Sequence, residues 1–379
     1  MAGSSQLSTS LSILDQSSRA SYDARRTDRL STPRVFSLSF HSRYRCRHAG
    51  ACCTSNWPIP IEADRLSAVR AAMTNGVLVG PKADADSAFG DLTDAAALVG
   101  VSHGACVFYE RERGGTCAIH RTLGHDALPL ACRQFPRVSV RDPRGVSVTL
   151  SHYCPTAASL LAASDAMAIV TDSSAFPATS EYVGLDATTS PPPLLRPGVL
   201  MDWETWWDVE RRAVALFARD DRAPEASLDM LSEAIERARG WRPSDGPLVA
   251  HIARAFDDVA EGRGLEPPRS QRWLDARRAL ALDAVPRDLT RAIPPFRLSS
   301  AVGPSAPALA RFLAAHVFAS WTPHLGGGLR AWVRSVEVAC ALATTSGVRD
   351  ADLVLRHLID PREFAARCAS AEREHRPAR

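Results

Sequence analysis

The sequence predicts an α+β protein, with a small cysteine-rich domain of short β-hairpins and helices followed by an all-α helical domain. Three observations predict it. Seven of the nine cysteines fall between Cys46 and Cys154 of a 379-residue chain. Around them, short alternating runs end in Gly- and Pro-containing turns, which is how hairpins are written in sequence. Beyond residue 198, apolar residues recur at helical spacing for most of the remaining chain. The expected divisions are an arm at 1–33, the cysteine domain at 34–185, a Pro-rich linker at 186–198 and the helical domain at 199–379.

The arm is Ser-rich and polar, has no periodicity and is expected to be disordered. Val35-Phe-Ser-Leu-Ser-Phe40 alternates like a strand. After Cys46, Cys52 and Cys53 comes Trp57-Pro-Ile-Pro-Ile61, which its prolines hold extended. A helix is expected from about Glu62 to Asn75, with Ala63, Leu66, Val69 and Met73 on one face and Gly76 as its stop. A second short helix is expected at 91–99.

Cys106-Val-Phe-Tyr109 and Cys117-Ala-Ile119 are expected to be the two strands of a hairpin, which would bring Cys106 near Cys117. A second hairpin should run through Val138 and Val140, turn at Asp142-Pro-Arg-Gly145, and return through Val146, Val148 and Leu150. Pro155 suits the first position of a following helix, which makes Cys154 its N-cap; the helix dipole there favours a thiolate.

Past the linker, helices are expected at about 202–219, 225–240, 246–262, 269–284, 307–321, 328–345, 350–358 and 361–374. Leu309, Phe312, Leu313, His316, Val317 and Ser320 share a face of the fifth. Leu329, Trp332, Val333, Val336 and Cys340 share a face of the sixth. The last helix carries Asp360 as N-cap, Pro361 at its first position and Glu363 two residues further on.

Composition narrows the class. Hydrophobic residues make up 45% and charged residues 23%, as in a soluble globular protein. Net charge is +3, and Lys82 is the single lysine among many arginines. So balanced a chain carries no strong electrostatic footprint for nucleic acid or a membrane surface. No run of 18 apolar residues is present, and Leu11–Leu14 is too short for a secretory core. The expected compartment is the cytoplasm, where thiols stay reduced. There a cysteine cluster points to a metal or to catalysis rather than to disulfides.

The candidate metal ligands are Cys46, Cys52, Cys53, Cys106, Cys117, Cys132 and Cys154, with His120 three residues after Cys117. They suffice for two tetrahedral zinc sites or for one iron–sulfur cluster, for which [4Fe-4S] is the expected form. Spacing does not decide between these. The adjacent Cys52 and Cys53 are expected to point apart and not to share one ion. His48, His103, His125 and His152 are expected to be ordinary polar residues, and Cys340 and Cys368 buried core thiols. Arg133 and Arg137 could pair with an anionic cofactor or simply pack the loop. Gly326-Gly-Gly328 could meet an anion at a helix start, although a helix connection is the stronger expectation. Trp203, Trp206 and Trp207 could stack an adenine, although a core face is the stronger expectation.

Taken in order, the motifs form a composite: Cys46-x5-Cys52-Cys53-x3-Trp57-Pro-Ile, Cys106-x10-Cys117-Ala-Ile-His120, Cys132-Arg-Gln-Phe-Pro-Arg137 and Ser151-His-Tyr-Cys154-Pro155. Over about residues 40–165 this resembles a bacterial cysteine-cluster family of zinc- or iron-chelating proteins. It is most like the flagellin lysine-N-methylase members of that family. The resemblance implies metal or iron–sulfur binding through these cysteines. It also implies S-adenosylmethionine-dependent methyl transfer to lysine amines of a protein such as flagellin. No Gly-rich strand-to-helix turn of the usual methyl-donor type accompanies it. Two other readings stand beside an enzyme of that kind. One is an adaptor module folded by structural zinc, worth about 10–16 kcal/mol per site. The other is a thiol redox enzyme using Cys52 and Cys53, which lacks a supporting C-x-x-C.

Overall fold

The structure, a computed structural model, describes residues 33–55, 57, 59–79, 87–91, 97–178, 181–263, 281, 283–286 and 303–370. The expected arm therefore lies outside the described residues, as do most of the expected helix at 269–284 and the end of the last helix beyond 370. The chain combines strands with helices, and its C-terminal part is helical.

Two compact units emerge, and their boundaries differ from the expected ones. One comprises Met1–Tyr44, Val138–Tyr153 and Ala158–Arg379; the other comprises Arg45–Arg137 and Cys154–Ala157. The Pro-rich stretch does not separate them. Within it, Leu194–Arg196 is a strand paired antiparallel with Val199–Leu200. Prolines mark irregular backbone, but whether a segment separates two cores depends on what packs around it.

In the first unit a five-stranded sheet has the order Ile169–Thr171, Val35–Leu38, Gly145–Leu150, Arg137–Asp142, Leu185–Asp186. Val35–Leu38 runs parallel to Gly145–Leu150, with Phe36 opposite Ser147. A parallel pair needs a long crossover. Here that connection contains the Arg45–Arg137 unit. The expected hairpin at 138–150 is present as two neighbouring strands.

Among the described residues the helices of this unit are Trp203–Phe217, Pro224–Arg239, Leu248–Ala260, Ala306–Val317, Gly328–Ser346, Val348–Leu353 and Pro361–Ser370. Asp202 caps the first, its Oδ1 accepting the Thr205 N–H at 2.8 Å. Asp360 caps the last, accepting the N–H groups of Arg362 and Glu363. The expected helix at 350–358 is α-helical only to Leu353 and continues as a π-helix, Val354–Leu358.

Gly328–Ser346 is apolar over most of its circumference and buries Leu329, Trp332, Val336, Ala339 and Ala343. A helix of that composition belongs in the middle of a core. Trp206 meets Trp332 edge to face, with ring centroids 5.2 Å apart. Trp207 donates its indole N–H to Asp142. These two tryptophans are thus committed to core packing and an internal hydrogen bond. Gly326 and Gly328 have φ of +85° and +72°, so this glycine run makes a left-handed turn into the helix.

The second unit is built on a smaller scale. Ala97–Val99 is the centre of a three-stranded sheet, pairing antiparallel with Ile59–Ile61 and with Phe89–Asp91. The helix expected at 91–99 is therefore overturned: its ends are strands, because Leu98 and Val99 fill a sheet between two partners. Helix Ala63–Thr74 lies beside this sheet, with Val69 and Ala72 buried. The apolar core includes Ile61, Ala88, Phe108, Ala118 and Ile119.

Candidate metal centre

The cysteines of the second unit sit on short elements rather than on knuckles. Cys52 and Cys53 close a 3-10 turn, Ala51–Cys53, entered through Gly50 at φ +75°. Cys106 ends a two-residue strand that pairs with Val101–Ser102, and Cys117 ends another that pairs Tyr109 with Cys117. The expected single hairpin is therefore corrected: Cys106 and Tyr109 lie on different strands, Tyr109–Glu110 alone pairs with Thr116–Cys117, and Ala118–Leu123 turns helical and carries His120. Cys132 lies in helix Leu130–Gln134, whose first N–H, that of Leu130, is held by the Glu62 carboxylate at 3.1 Å.

The sulfur atoms of Cys52 and Cys53 are 3.8 Å apart. This corrects the expectation that they point apart. On an extended strand adjacent side chains alternate, but in a tight turn they can converge. Two thiolates sharing one tetrahedral ion, with bonds of about 2.3 Å, stand ~3.8 Å from each other. The spacing is therefore compatible with a shared metal.

Electrostatics tie five thiols together. Cys53 hydrogen-bonds to Cys117 and to Cys52, which holds its own thiol protonated. As a result the Cys53 S–H lowers the Cys52 thiol, and it brings Cys117 down to about 7 against the opposing effect of burial. Burial pushes Cys106 up to about 12, with Cys117 and Cys52 adding to the rise. Burial also holds Cys132 well above the usual range, reinforced by Cys52, Cys106, Cys117 and Glu62. A buried thiol without a cation resists ionising; a bound cation would reverse that.

Three candidates stand differently. Cys46 is exposed, its sulfur accepting the His48 N–H at 3.5 Å. Cys154 is 6% exposed and immediately precedes the five-residue helix Pro155–Ser159. The His120 ring lies 4.8 Å from that of His48 and 5.9 Å from that of His125; burial and these two neighbours lower its pKa. Trp57 packs on Phe135 within the same unit, and Arg137 donates to the Arg133 carbonyl. Cys340 and Cys368 are buried in the helical core of the other unit, as expected.

As the side chains stand, no group of three or more His, Cys, Asp or Glu among the described residues is arranged to hold a metal ion. The thiols are gathered and of the right chemical kind, but they do not form a closed ligand set. Five of them (Cys52, Cys53, Cys106, Cys117 and Cys132) interact with one another. Cys46, Cys154 and His120 are candidates by sequence. No helix among the described residues is long and apolar enough to cross a membrane.

Sequence reasoning missed a second polar centre, in the first unit. His41, His152, His316, Asp352 and Arg356 form a buried hydrogen-bonded set. His152, expected to be an ordinary polar residue, is 0% exposed within it. One signal was available: His316 falls on the apolar face of its helix.

No family model, curated protein or solved structure is detectably similar to the chain.

Proposed function

We propose that this protein binds a soft metal centre, an iron–sulfur cluster or zinc, through thiolates of the Arg45–Arg137 unit. The observation that carries the reading is the mutual interaction of five cysteine sulfurs drawn from four separate elements. Clustered thiols in a reducing compartment favour metal ligation over disulfides. Cys52, Cys53, Cys106, Cys117 and Cys132 would hold the metal; Cys46, Cys154 and His120 would complete or flank it. When bound, an iron–sulfur centre would supply redox or Lewis-acid chemistry and zinc would supply fold stability. The chain's own contribution is to lower the Cys117 and Cys52 thiols through the Cys53 hydrogen bonds, whereas Cys53, Cys106 and Cys132 would give up their protons on ligation.

Methyl transfer from S-adenosylmethionine to lysine amines of a protein such as flagellin remains the catalytic expectation, and it rests on the motif resemblance alone. The structural-zinc adaptor is the second reading. It is favoured by the modest core of the cysteine unit, fourteen buried apolar residues among those described, which a metal staple would reinforce. Neither reading involves a nucleic-acid partner or membrane insertion, and both place the protein in the cytoplasm.

Anaerobic purification with iron, zinc and acid-labile sulfide analysis tests the proposal. Iron with sulfide, plus calorimetric binding of S-adenosylmethionine, supports the enzyme. One or two zinc ions without donor binding supports the adaptor. A folded chain that binds no metal, even after anaerobic reconstitution, ends both.

A further inference from the structure

Three histidines of the Arg45–Arg137 unit meet beside the interacting thiols. His120 lies in helix Ala118–Leu123, His125 opens the 3-10 turn His125–Ala127, and His48 precedes the turn Ala51–Cys53. The His120 ring centre is 4.8 Å from that of His48 and 5.9 Å from that of His125. The Cys46 sulfur accepts the His48 backbone N–H. We propose that His48, His120 and His125, with Cys46, form a second cation site that takes one divalent ion of the zinc class. This site shares no side chain with the five-thiol centre and does not rest on it.

Geometry supports the set. An imidazole bound through nitrogen at about 2.0–2.1 Å puts its ring centre roughly 3.2 Å from the ion, so two rings on one tetrahedral ion have centres about 5.2 Å apart. The two observed spacings fall on either side of that value. As they stand, these side chains are not closed around an ion. Turning an imidazole about its Cβ–Cγ bond moves its nitrogens and leaves its ring centre nearly in place, and that torsion is broad and two-fold. His48 and His125 are exposed, so nothing packed around them prevents the turn.

Chemistry selects the ion. Among the described residues no hydrogen bond joins the three rings, so their meeting is not explained by bonds to one another. Three imidazoles and a thiol suit a borderline-soft cation, whereas magnesium and calcium take oxygen ligands. Asp126 Oδ1 lies 3.5 Å from His125 Nδ1, where a carboxylate supports an imidazole that binds metal through its other nitrogen. His48 has φ of +53°, a left-handed backbone uncommon for a residue with a side chain and found at ligand-holding positions. A bound ion would tie the loop leading into Cys52 and Cys53 to the helix that follows Cys117.

The test titrates the full chain with cobalt(II), without oxygen and after its metal content is recorded, and follows the visible bands of tetrahedral cobalt. The His48→Ala, His125→Ala double variant changes exposed residues and should fold as wild type does by circular dichroism. It should bind one cobalt ion fewer, or bind that ion at least ~10-fold more weakly. The difference spectrum between the two proteins should carry a sulfur-to-cobalt charge-transfer band that Cys46→Ser removes. Zinc should raise the unfolding midpoint of wild type more than that of the histidine variant. Equal cobalt stoichiometry and affinity in wild type and histidine variant would overturn the proposal. A charge-transfer band that persists in Cys46→Ser would overturn the place of Cys46 in the set. Cobalt bound at the histidines, with no metal at the thiols, would sink the thiol-centre reading and support this one.

Discussion

One carboxylate oxygen of Asp352, Oδ2, accepts both the backbone N–H and the ring Nδ1–H of His152, the latter at 3.1 Å. The other oxygen takes His316 Nε2 at 2.6 Å and Arg356 Nε at 3.1 Å. Burial opposes the charge on Asp352, but Arg356, His316 and His152 outweigh it and hold the carboxyl well below its usual range. The tautomers follow from the ionised carboxylate. With its proton on Nδ1, a neutral His152 presents Nε2 as a lone pair. His41 Nε2, 3.1 Å away, must then donate. His41 Nδ1 is left as a buried acceptor without a hydrogen-bond partner among the described residues. An unsatisfied acceptor is the cheaper orphan; a buried bare N–H would cost more.

Removing Asp352 should strand several donors at once. Asp352→Ala is expected to destabilise the chain by about 3–5 kcal/mol, the usual cost of breaking a buried charge network. Asp352→Asn keeps acceptor oxygens and should cost less. Denaturant unfolding measures both; equal stability of wild type and Asp352→Ala would refute the network's role.

Acid should weaken the protein in two stages. Burial lowers His316 and His357 to about 4, whereas in the unfolded chain they titrate near 6.5. Between those values the unfolded state binds more protons, so stability rises with pH and is lost as pH falls from 6.5 toward 4. Each imidazole contributes on the order of 3 kcal/mol over that window. Asp352, being depressed, adds its loss only below about 3.8. Unfolding midpoints at pH 7, 5.5 and 4.5 should decline steadily; a flat profile contradicts the assignment.

Gly50 holds the turn that carries Cys52 and Cys53. Its φ is +75°, and an added Cβ would meet Tyr109 Oη at 2.8 Å. Gly50→Ala should therefore cost roughly 1–3 kcal/mol through backbone strain and collision. Adding Tyr109→Ala relieves the collision but not the strain, so the double variant should recover part of the loss.

The metal reading divides the cysteines. Cys117→Ser and Cys132→Ser should lower metal content well below wild type. Cys340→Ala and Cys368→Ala should leave it unchanged and cost under about 2 kcal/mol each. Metal analysis of the four folded variants decides it; equal loss in all four would mean that the thiols act through stability.

The sequence by itself determined the strand Val35–Leu38, the helix Ala63–Thr74, the 137–150 strand pair, the helical second half and the Asp360 cap. Each is written within a few neighbouring residues, by alternation, helical spacing or a capping side chain. It also singled out the cysteines, whose chemistry is local to the residue. Tertiary structure decided the rest. A parallel pairing between residues 35 and 146 made the cysteine unit an insertion rather than a first domain. Ala97–Val99 became a strand because partners lay on both sides of it. Asp352 reached His152 across 200 residues of sequence. Local spacing cannot encode such meetings, because they arise only when separate elements pack into one core and buried polar groups must find partners there.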